Sequence, residues 1–129
     1  MFNVNTKKDT ISTLENIILS IQLIQERFSS IKSSDDFFKN KVGLEHLDSI
    51  SMRLIAIGEG FKNIDKLTSN QLLKQYVGID WKGIKGIRDR LSHHYFDIDS
   101  EIIFDICNTN IDELLQTTSK ILSDIKRDF

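Results

Sequence analysis

Residues 14–31, LENIILSIQLIQERFSSI, decide the fold class of this chain. Large apolar residues recur there at alternating steps of three and four, which places them in one stripe along a helix of 3.6 residues per turn. The stripe consists of Leu14, Ile17, Ile21, Ile24, Phe28 and Ile31. The polar residues Gln22 and Gln25 fall off it. The pattern therefore predicts an amphipathic helix that buries one face.

The same spacing recurs further along the chain. A second long helix is predicted from Leu47, Ile50, Leu54, Ile57, Phe61 and Ile64. Asp80 is a good N-cap for a third helix that starts at Trp81 and runs to about Tyr95. A last helical region covers residues 102–125, with a kink near residues 108–110. Short helical turns are expected around Phe37 and within residues 71–76.

Signals for β-structure are missing from the sequence. The chain has no proline, no strand-like alternation of apolar and polar residues and no hairpin turn signal. Four main helices joined by short loops predict an all-α fold, an up-down helical bundle. With 129 residues, the chain is expected to be one domain spanning positions 1–129.

Composition excludes several classes of protein. A single cysteine, Cys107, excludes an intramolecular disulfide and a multi-cysteine metal site, and it suits a reducing compartment. No apolar run approaches the ~20 residues that span a bilayer, and the N-terminus resembles no secretory signal. We therefore expect a cytoplasmic protein that does not engage a membrane. The formal net charge of −2 argues at first against nucleic-acid binding.

One segment reverses the sign of that charge. Residues 81–95, WKGIKGIRDRLSHHY, hold four basic residues and one acidic residue, two of the three histidines and the only tryptophan. The segment carries +3, so the remainder of the chain carries −5. The charge pattern predicts an acidic body with one basic helix.

The residue types in this segment suit one kind of chemistry. A histidine that titrates near neutrality is the commonest general acid or base, and an arginine holds its charge against a phosphate. Together they suit metal-independent cleavage of RNA, in which the 2′-OH attacks the adjacent phosphate. We see no metal-ligand cluster in the sequence and expect neither a metal nor another cofactor.

Helical spacing sharpens the expected site. Asp89 and His93 lie at i, i+4, where the carboxylate can orient the imidazole. Arg88 and His93 diverge by about 140° and by about 7.5 Å along the axis of a straight helix. A two-fold dimer solves this, because two copies of the helix form one cleft with two arginines and two histidines. Gly83 and Gly86 would let such helices approach closely.

Structural interpretations stand beside this one. The basic residues alone are typical of a solvated helix face. A metal site on His93, His94, Asp89 and Asp97 is disfavoured, because adjacent histidines on a helix point about 100° apart. His46, beside the second apolar stripe, is expected to be a structural or surface residue. Cys107 is expected in the core and Trp81 as a packing anchor. Gly58 and Gly60 weaken the second helix. They indicate either that another backbone approaches closely there or that the helix simply tolerates the loss of stability.

The third helix resembles a known family. Arg88, His93 and Tyr95 match the R-x4-H-x-Y signature of HEPN domains, in their HepT-like branch. The surroundings match as well, in the stretches at residues 79–81, 86–88 and 96–99 and in the glycine–glutamate element at residues 57–60. The resemblance covers residues 10–125 and implies a four- or five-helix bundle that forms a two-fold homodimer with the motif helices facing each other.

The resemblance also implies an activity and partners. HepT-like proteins are metal-independent endoribonuclease toxins of type VII-like toxin–antitoxin systems that act on cellular RNA, such as tRNA or mRNA. Their cognate nucleotidyltransferase antitoxin neutralises them by transferring AMP to the motif tyrosine. Carried over to this chain, Arg88 would hold the scissile phosphate, His93 would be the acid–base group and Tyr95 would accept AMP. Bulky, negatively charged AMP there would block the phosphate site.

Further residues complete the predicted site. Asp89 and Ser92 are expected to support and orient the catalytic pair, and Lys82, Lys85 and Arg90 to bind RNA. The sequence departs from the family at Asp89, where asparagine is usual, at Asp80, where proline is usual, and at His94, a second imidazole. Two other functions stay open. One is a non-catalytic module that binds nucleotide or substrate for a nucleotidyltransferase, and the other is a helical dimerisation scaffold.

Overall fold

The computed structural model describes the backbone of residues 3–94 and 97–128, and the side chains of those residues except 92–94 and 97. Three long helices dominate, α1 (Val4–Phe28), α2 (Lys41–Leu67) and α6 (Ile111–Arg127). Three short helices lie between α2 and α6: α3 (Trp81–Lys85), α4 (Ile87–Leu91) and α5 (Ser100–Asp105). Short 3₁₀ turns occupy Ser34–Phe38 and Leu73–Gln75. The all-α prediction is confirmed.

The apolar stripes predicted for the first two helices form the core. Every member of both stripes is buried except Phe28, which is half-buried. Its ring packs against that of Phe104 at a tilt of 56°, with ring centroids 5.3 Å apart. Helix α2 contacts α1, α3, α4 and α5, so it is the central element of the bundle. A helix in a protein gains most of its stability by packing an apolar face against its neighbours, as α2 does here.

Paired contacts establish the directions of the long helices. Thr13 of α1 accepts a hydrogen bond from Asn63 of α2 (3.2 Å), and Ile17, one turn later, lies against Gly60, one turn earlier. Rising numbers on α1 thus meet falling numbers on α2, and the two helices are antiparallel. Gln25 of α1 donates to Asp112 at the start of α6 (2.7 Å). Lys126 near the end of α6 approaches Glu15 (3.8 Å), so α6 is also antiparallel to α1.

Side-chain caps begin four of the helices. Asn3 accepts a hydrogen bond from the backbone N–H of Thr6 in α1 and Asn40 from that of Gly43 in α2, each at 2.8 Å. Asp80 accepts from Gly83 at the start of α3 (3.0 Å), as predicted. The cap of α5 is Asp99, which accepts from the N–H of Ile102 (3.1 Å). These side chains satisfy N–H groups that a helix terminus leaves without partners.

The prediction of one helix from Trp81 to about Tyr95 is wrong. Helix α3 ends at Lys85, α4 ends at Leu91, and residues 92–94 form a short strand, β1 (Ser92–His94). This strand pairs antiparallel with β2 (Asp97–Ile98), in the register Ser92 to Ile98. The Leu91 carbonyl accepts a hydrogen bond from the Asp99 N–H (3.0 Å), where a continuing helix would use the N–H four residues on. Serine and histidine are also weaker helix formers than leucine.

The kink predicted near residues 108–110 is confirmed. A π-helical turn at Ile106–Asn110 joins α5 to α6, and the N–H of Ile111 bonds to the carbonyl of Ile106. Wide turns of this kind appear mostly as single insertions in longer helices and frequently at functional sites. Across the described ranges, 3–94 and 97–128, no helix combines the length and hydropathy needed to cross a membrane.

Candidate functional site

The basic segment is held on the bundle at both of its ends. Trp81 donates its indole N–H to the Tyr76 carbonyl (2.8 Å) and packs edge-on against Phe61, with ring centroids 5.0 Å apart. This confirms Trp81 as a packing anchor. At the other end Ile87 and Leu91 are buried and fix α4 to the core. The polar residues between these two attachments are therefore held in place on the surface of the bundle.

Gly58 lets this segment approach α2. A Cβ atom at Gly58 would lie only 2.6 Å from the carbonyl oxygen of Ile84 and 3.0 Å from Cγ2 of Ile87. The backbone of α3 thus occupies the space that a side chain would need, which confirms the predicted close approach. Gly60 differs, because its missing Cβ faces the end of the Ile17 side chain and no second backbone.

Three consecutive charged residues face solvent on α4. Arg88, Asp89 and Arg90 are all exposed, and Lys82 on α3 is exposed too. Within the described part of the chain, no side chain forms an ion pair with Arg88, Asp89 or Arg90. An exposed guanidinium without an internal carboxylate partner is available to a phosphate.

Lys85 is placed differently from the other basic residues. Its ammonium group forms an ion pair with the carboxylate of Asp65 on α2. The pair joins α3 to the central helix and offsets the charge that Lys85 would offer to a polyanion. The structure therefore groups Lys82, Arg88 and Arg90 as the exposed cations and ties Lys85 to the scaffold.

The remaining predicted site residues fall partly outside the described structure. Tyr95 lies outside the described residues, as do the side chains of Ser92 and His93. The backbone of His93 lies in β1, directly after α4. The expected i, i+4 relation between Asp89 and His93 on one helix is therefore wrong, because α4 ends at Leu91. The helical spacing of Arg88 from His93 does not apply for the same reason.

Residues expected to be structural behave as predicted where the structure describes them. Cys107 is buried in the π-helical turn, and burial raises the pKa of its thiol to about 12. His46 is half-buried on α2. Among the side chains that the structure describes, no group of three or more histidine, cysteine, aspartate or glutamate residues could hold a metal ion.

The sequence alone did not indicate a cavity beside the basic segment. The cavity has a volume of about 220 Å³. It is lined by α2, by residues 78–80 before α3, by α3 and α4 themselves, and by the π-helical turn with the start of α6. Eight of its thirteen lining residues are aliphatic. Its polar lining residues are Asp80, Arg90, Asn110 and Glu113. Of the features predicted from the sequence, the kink at residues 108–110 lies next to this cavity, because Asn110 lines it.

Comparison with known proteins identifies the family of this chain. Residues 17–121 match the family model described as "Ribonuclease HepT-like". The Methanocaldococcus jannaschii protein named "Putative RNase MJ0127" is 31% identical over 120 residues, which cover 93% of each chain. "Putative RNase TTE0752" from Caldanaerobacter subterraneus subsp. tengcongensis is 34% identical over 110 residues, covering 84% of this chain and 90% of that protein. No solved structure gives a significant match. The family match spans α2 to α5 completely, with about half of α1 and most of α6, and this chain belongs to the HepT-like ribonuclease family.

Proposed function

We propose that this protein is a metal-independent endoribonuclease whose catalytic pair is Arg88 and His93. The observation that carries the proposal is the exposed Arg88 on α4, which no described side chain neutralises, five positions before His93 in a HepT-like chain. The buried Ile87 and Leu91 fix the helix that presents this arginine. An R-x4-H-x-Y sequence in that position is the signature of HEPN ribonucleases.

The proposed reaction is a transesterification. His93 removes the proton from a ribose 2′-OH, and the 2′ oxygen attacks the adjacent phosphorus. The bond from phosphorus to the 5′ oxygen breaks, and that oxygen leaves with a proton supplied by an imidazolium or by water. Arg88 holds the non-bridging oxygens, whose negative charge increases in the transition state. The products carry a 2′,3′-cyclic phosphate and a 5′-hydroxyl group.

We infer that the active unit is a two-fold homodimer and that the protein is the toxin of a toxin–antitoxin pair. Two copies of Arg88 and two of His93 in one cleft would supply a second cation and a separate acid and base. The partner would be a nucleotidyltransferase that transfers AMP to Tyr95. A bulky anion there would compete with RNA phosphate for the same arginines.

Cleavage of labelled RNA in the presence of EDTA tests the enzyme proposal. Arg88→Ala and His93→Ala are expected to abolish formation of the cyclic phosphate and to relieve growth arrest on expression. Arg127→Ala and His46→Ala are the matched controls, and His94→Ala shows which imidazole acts. Activity retained in both Arg88→Ala and His93→Ala would refute the catalytic pair. Nucleotide binding without any cleavage would favour the non-catalytic partner function.

Incubation with the neighbouring nucleotidyltransferase and ATP tests the proposed neutralisation. The expected result is a mass increase by whole AMP units, mapped to Tyr95 by peptide sequencing and lost in Tyr95→Phe. A modification on another residue, or none, would refute this part. The molar mass in solution tests the homodimer independently.

A further inference from the structure

The cavity beside α4 is separate from Arg88 and has its own chemistry. Arg90 lines it from α4 and Glu113 lines it from α6, while Arg88 is not part of its wall. Residues two apart on a helix point about 200° from each other, so Arg88 and Arg90 face different sides of α4. A ligand in this cavity therefore occupies a second position, next to the phosphate site and distinct from it.

The wall of the cavity is suited to a flat, uncharged ring. Six of its thirteen lining residues are isoleucines: Ile57, Ile79, Ile84, Ile87, Ile106 and Ile111. Its volume of about 220 Å³ is below the roughly 300–1,000 Å³ of sites for drug-sized ligands. Unstacked bases in single-stranded RNA are read by packing of their faces and by hydrogen bonds at their edges. A single nucleobase matches both the size and the apolar surface.

Arg90 and Glu113 bring opposite charges to the cavity. Arg90 and Glu113 are both exposed, and within the described residues neither has an ion-pair partner. Guanidinium donors suit the O6 and N7 acceptors of guanine. A carboxylate accepts the N1–H and N2–H donors on the adjacent edge of the same base. Adenine offers one acceptor and one donor group to this pair, and the pyrimidines fill less of the apolar surface.

We propose that this cavity binds an unstacked guanine base of the RNA substrate, at a nucleotide beside the one cleaved. Arg90 donates to O6 and N7, Glu113 accepts from N1 and N2, and the isoleucines pack on the faces of the ring. This inference rests on the proposed ribonuclease function, because it names the base that this function would recognise. It adds a specificity site to a catalytic pair that by itself contacts only phosphate and ribose.

Binding of mononucleotides, followed by isoleucine methyl NMR, tests the proposal without any cleavage assay. The chain has 20 isoleucines, so the six in the cavity wall are read against the other fourteen as an internal control. GMP is expected to shift the signals of the cavity isoleucines and to bind at least about fivefold more tightly than AMP. Ribose 5-phosphate reports binding through phosphate alone, and it is expected to leave those signals unchanged.

Two exposed side chains provide variants that preserve the fold. Arg90→Ala is expected to weaken GMP binding by about tenfold. Glu113→Gln is expected to remove the preference for GMP over AMP, because an amide both donates and accepts. Arg127→Ala is the matched control, since it lies about 21 Å from Glu113 along α6 at 1.5 Å per residue. Glu45→Gln on the exposed face of α2 is the control for the change of charge.

The outcomes separate this inference from the proposed function. Equal binding of GMP and AMP, or GMP shifts that ribose 5-phosphate reproduces, would overturn the guanine site even if the protein cleaves RNA. Unchanged GMP affinity in both Arg90→Ala and Glu113→Gln would overturn it as well. GMP binding at the cavity in a protein that cuts no RNA would support the base site and refute the ribonuclease function.

Discussion

Substituting Gly58 tests whether contact with α2 holds the basic segment in place. In Gly58→Ala the new Cβ would lie 2.6 Å from the Ile84 carbonyl oxygen, so the backbone of α3 must move. Overpacking of a tight site costs typically about 1–3 kcal/mol. Alanine in place of glycine in a helix returns about 1 kcal/mol. Because the clashing atom belongs to the backbone, we expect a cost in the upper part of that range, about 2–3 kcal/mol. The free energy of unfolding is therefore expected to fall by about 1–2 kcal/mol, measured by urea denaturation.

Gly60→Ala is the matched control on the same helix. It gains the same helix propensity, but its Cβ meets the Cδ1 and Cγ1 atoms of Ile17 at 2.9 Å. The end of a side chain moves at lower cost than a backbone, so this variant is expected to stay close to the parent stability. A Gly58→Ala protein as stable as Gly60→Ala would refute the reasoning. At temperatures where both variants are folded, RNA cleavage is expected to fall only in Gly58→Ala, because its α3 is displaced.

Two further predictions concern polar and reactive groups. Tyr76 donates to Asp124 (2.6 Å), and this hydrogen bond lowers the pKa of the carboxyl. A lowered carboxyl pKa stabilises the fold above the ordinary value of 3.8 and loses this effect as pH falls through the folded value. Tyr76→Phe is therefore expected to lower the free energy of unfolding near neutrality, and the difference from the parent is expected to shrink in acid. Urea titrations at several pH values measure this difference, and a constant difference would contradict the prediction. Burial raises the pKa of Cys107 to about 12, so a thiol reagent at pH 8 should label it only on unfolding, whereas rapid labelling of the native protein would contradict this.

The helical core follows from the sequence because its signal is repeated and local. Apolar residues at three- and four-residue steps, from Leu14 to Ile31 and from Leu47 to Ile64, leave a single face to bury. The cap at Asp80 and the kink at residues 108–110 are also local chemistry, and both were predicted correctly. Such features need no knowledge of what packs against them.

The end of α4 could not be predicted in the same way. Ile84, Ile87 and Leu91 continue the helical spacing, and nothing in residues 92–98 shows a strand pattern. The helix ends because the Leu91 carbonyl bonds to the N–H of Asp99, which also caps α5. This hydrogen bond joins residues eight positions apart, and its donor residue is the N-cap of α5, which begins only at Ser100. Helical spacing across Leu91 is therefore a poor guide to how His93 stands relative to Arg88.

The structure reduces the number of cations that the basic segment can offer to a ligand. The segment at residues 81–95 carries +3 in the sequence, but Lys85 is paired with Asp65 from the acidic body. Lys82, Arg88 and Arg90 then remain as the exposed cations of α3 and α4. A surface with so few free cations holds few phosphates, and counterion release gives it modest, salt-dependent affinity. Discrimination between RNAs must then come from contacts that phosphates do not supply, and the aliphatic cavity with Arg90 and Glu113 provides such contacts beside α4.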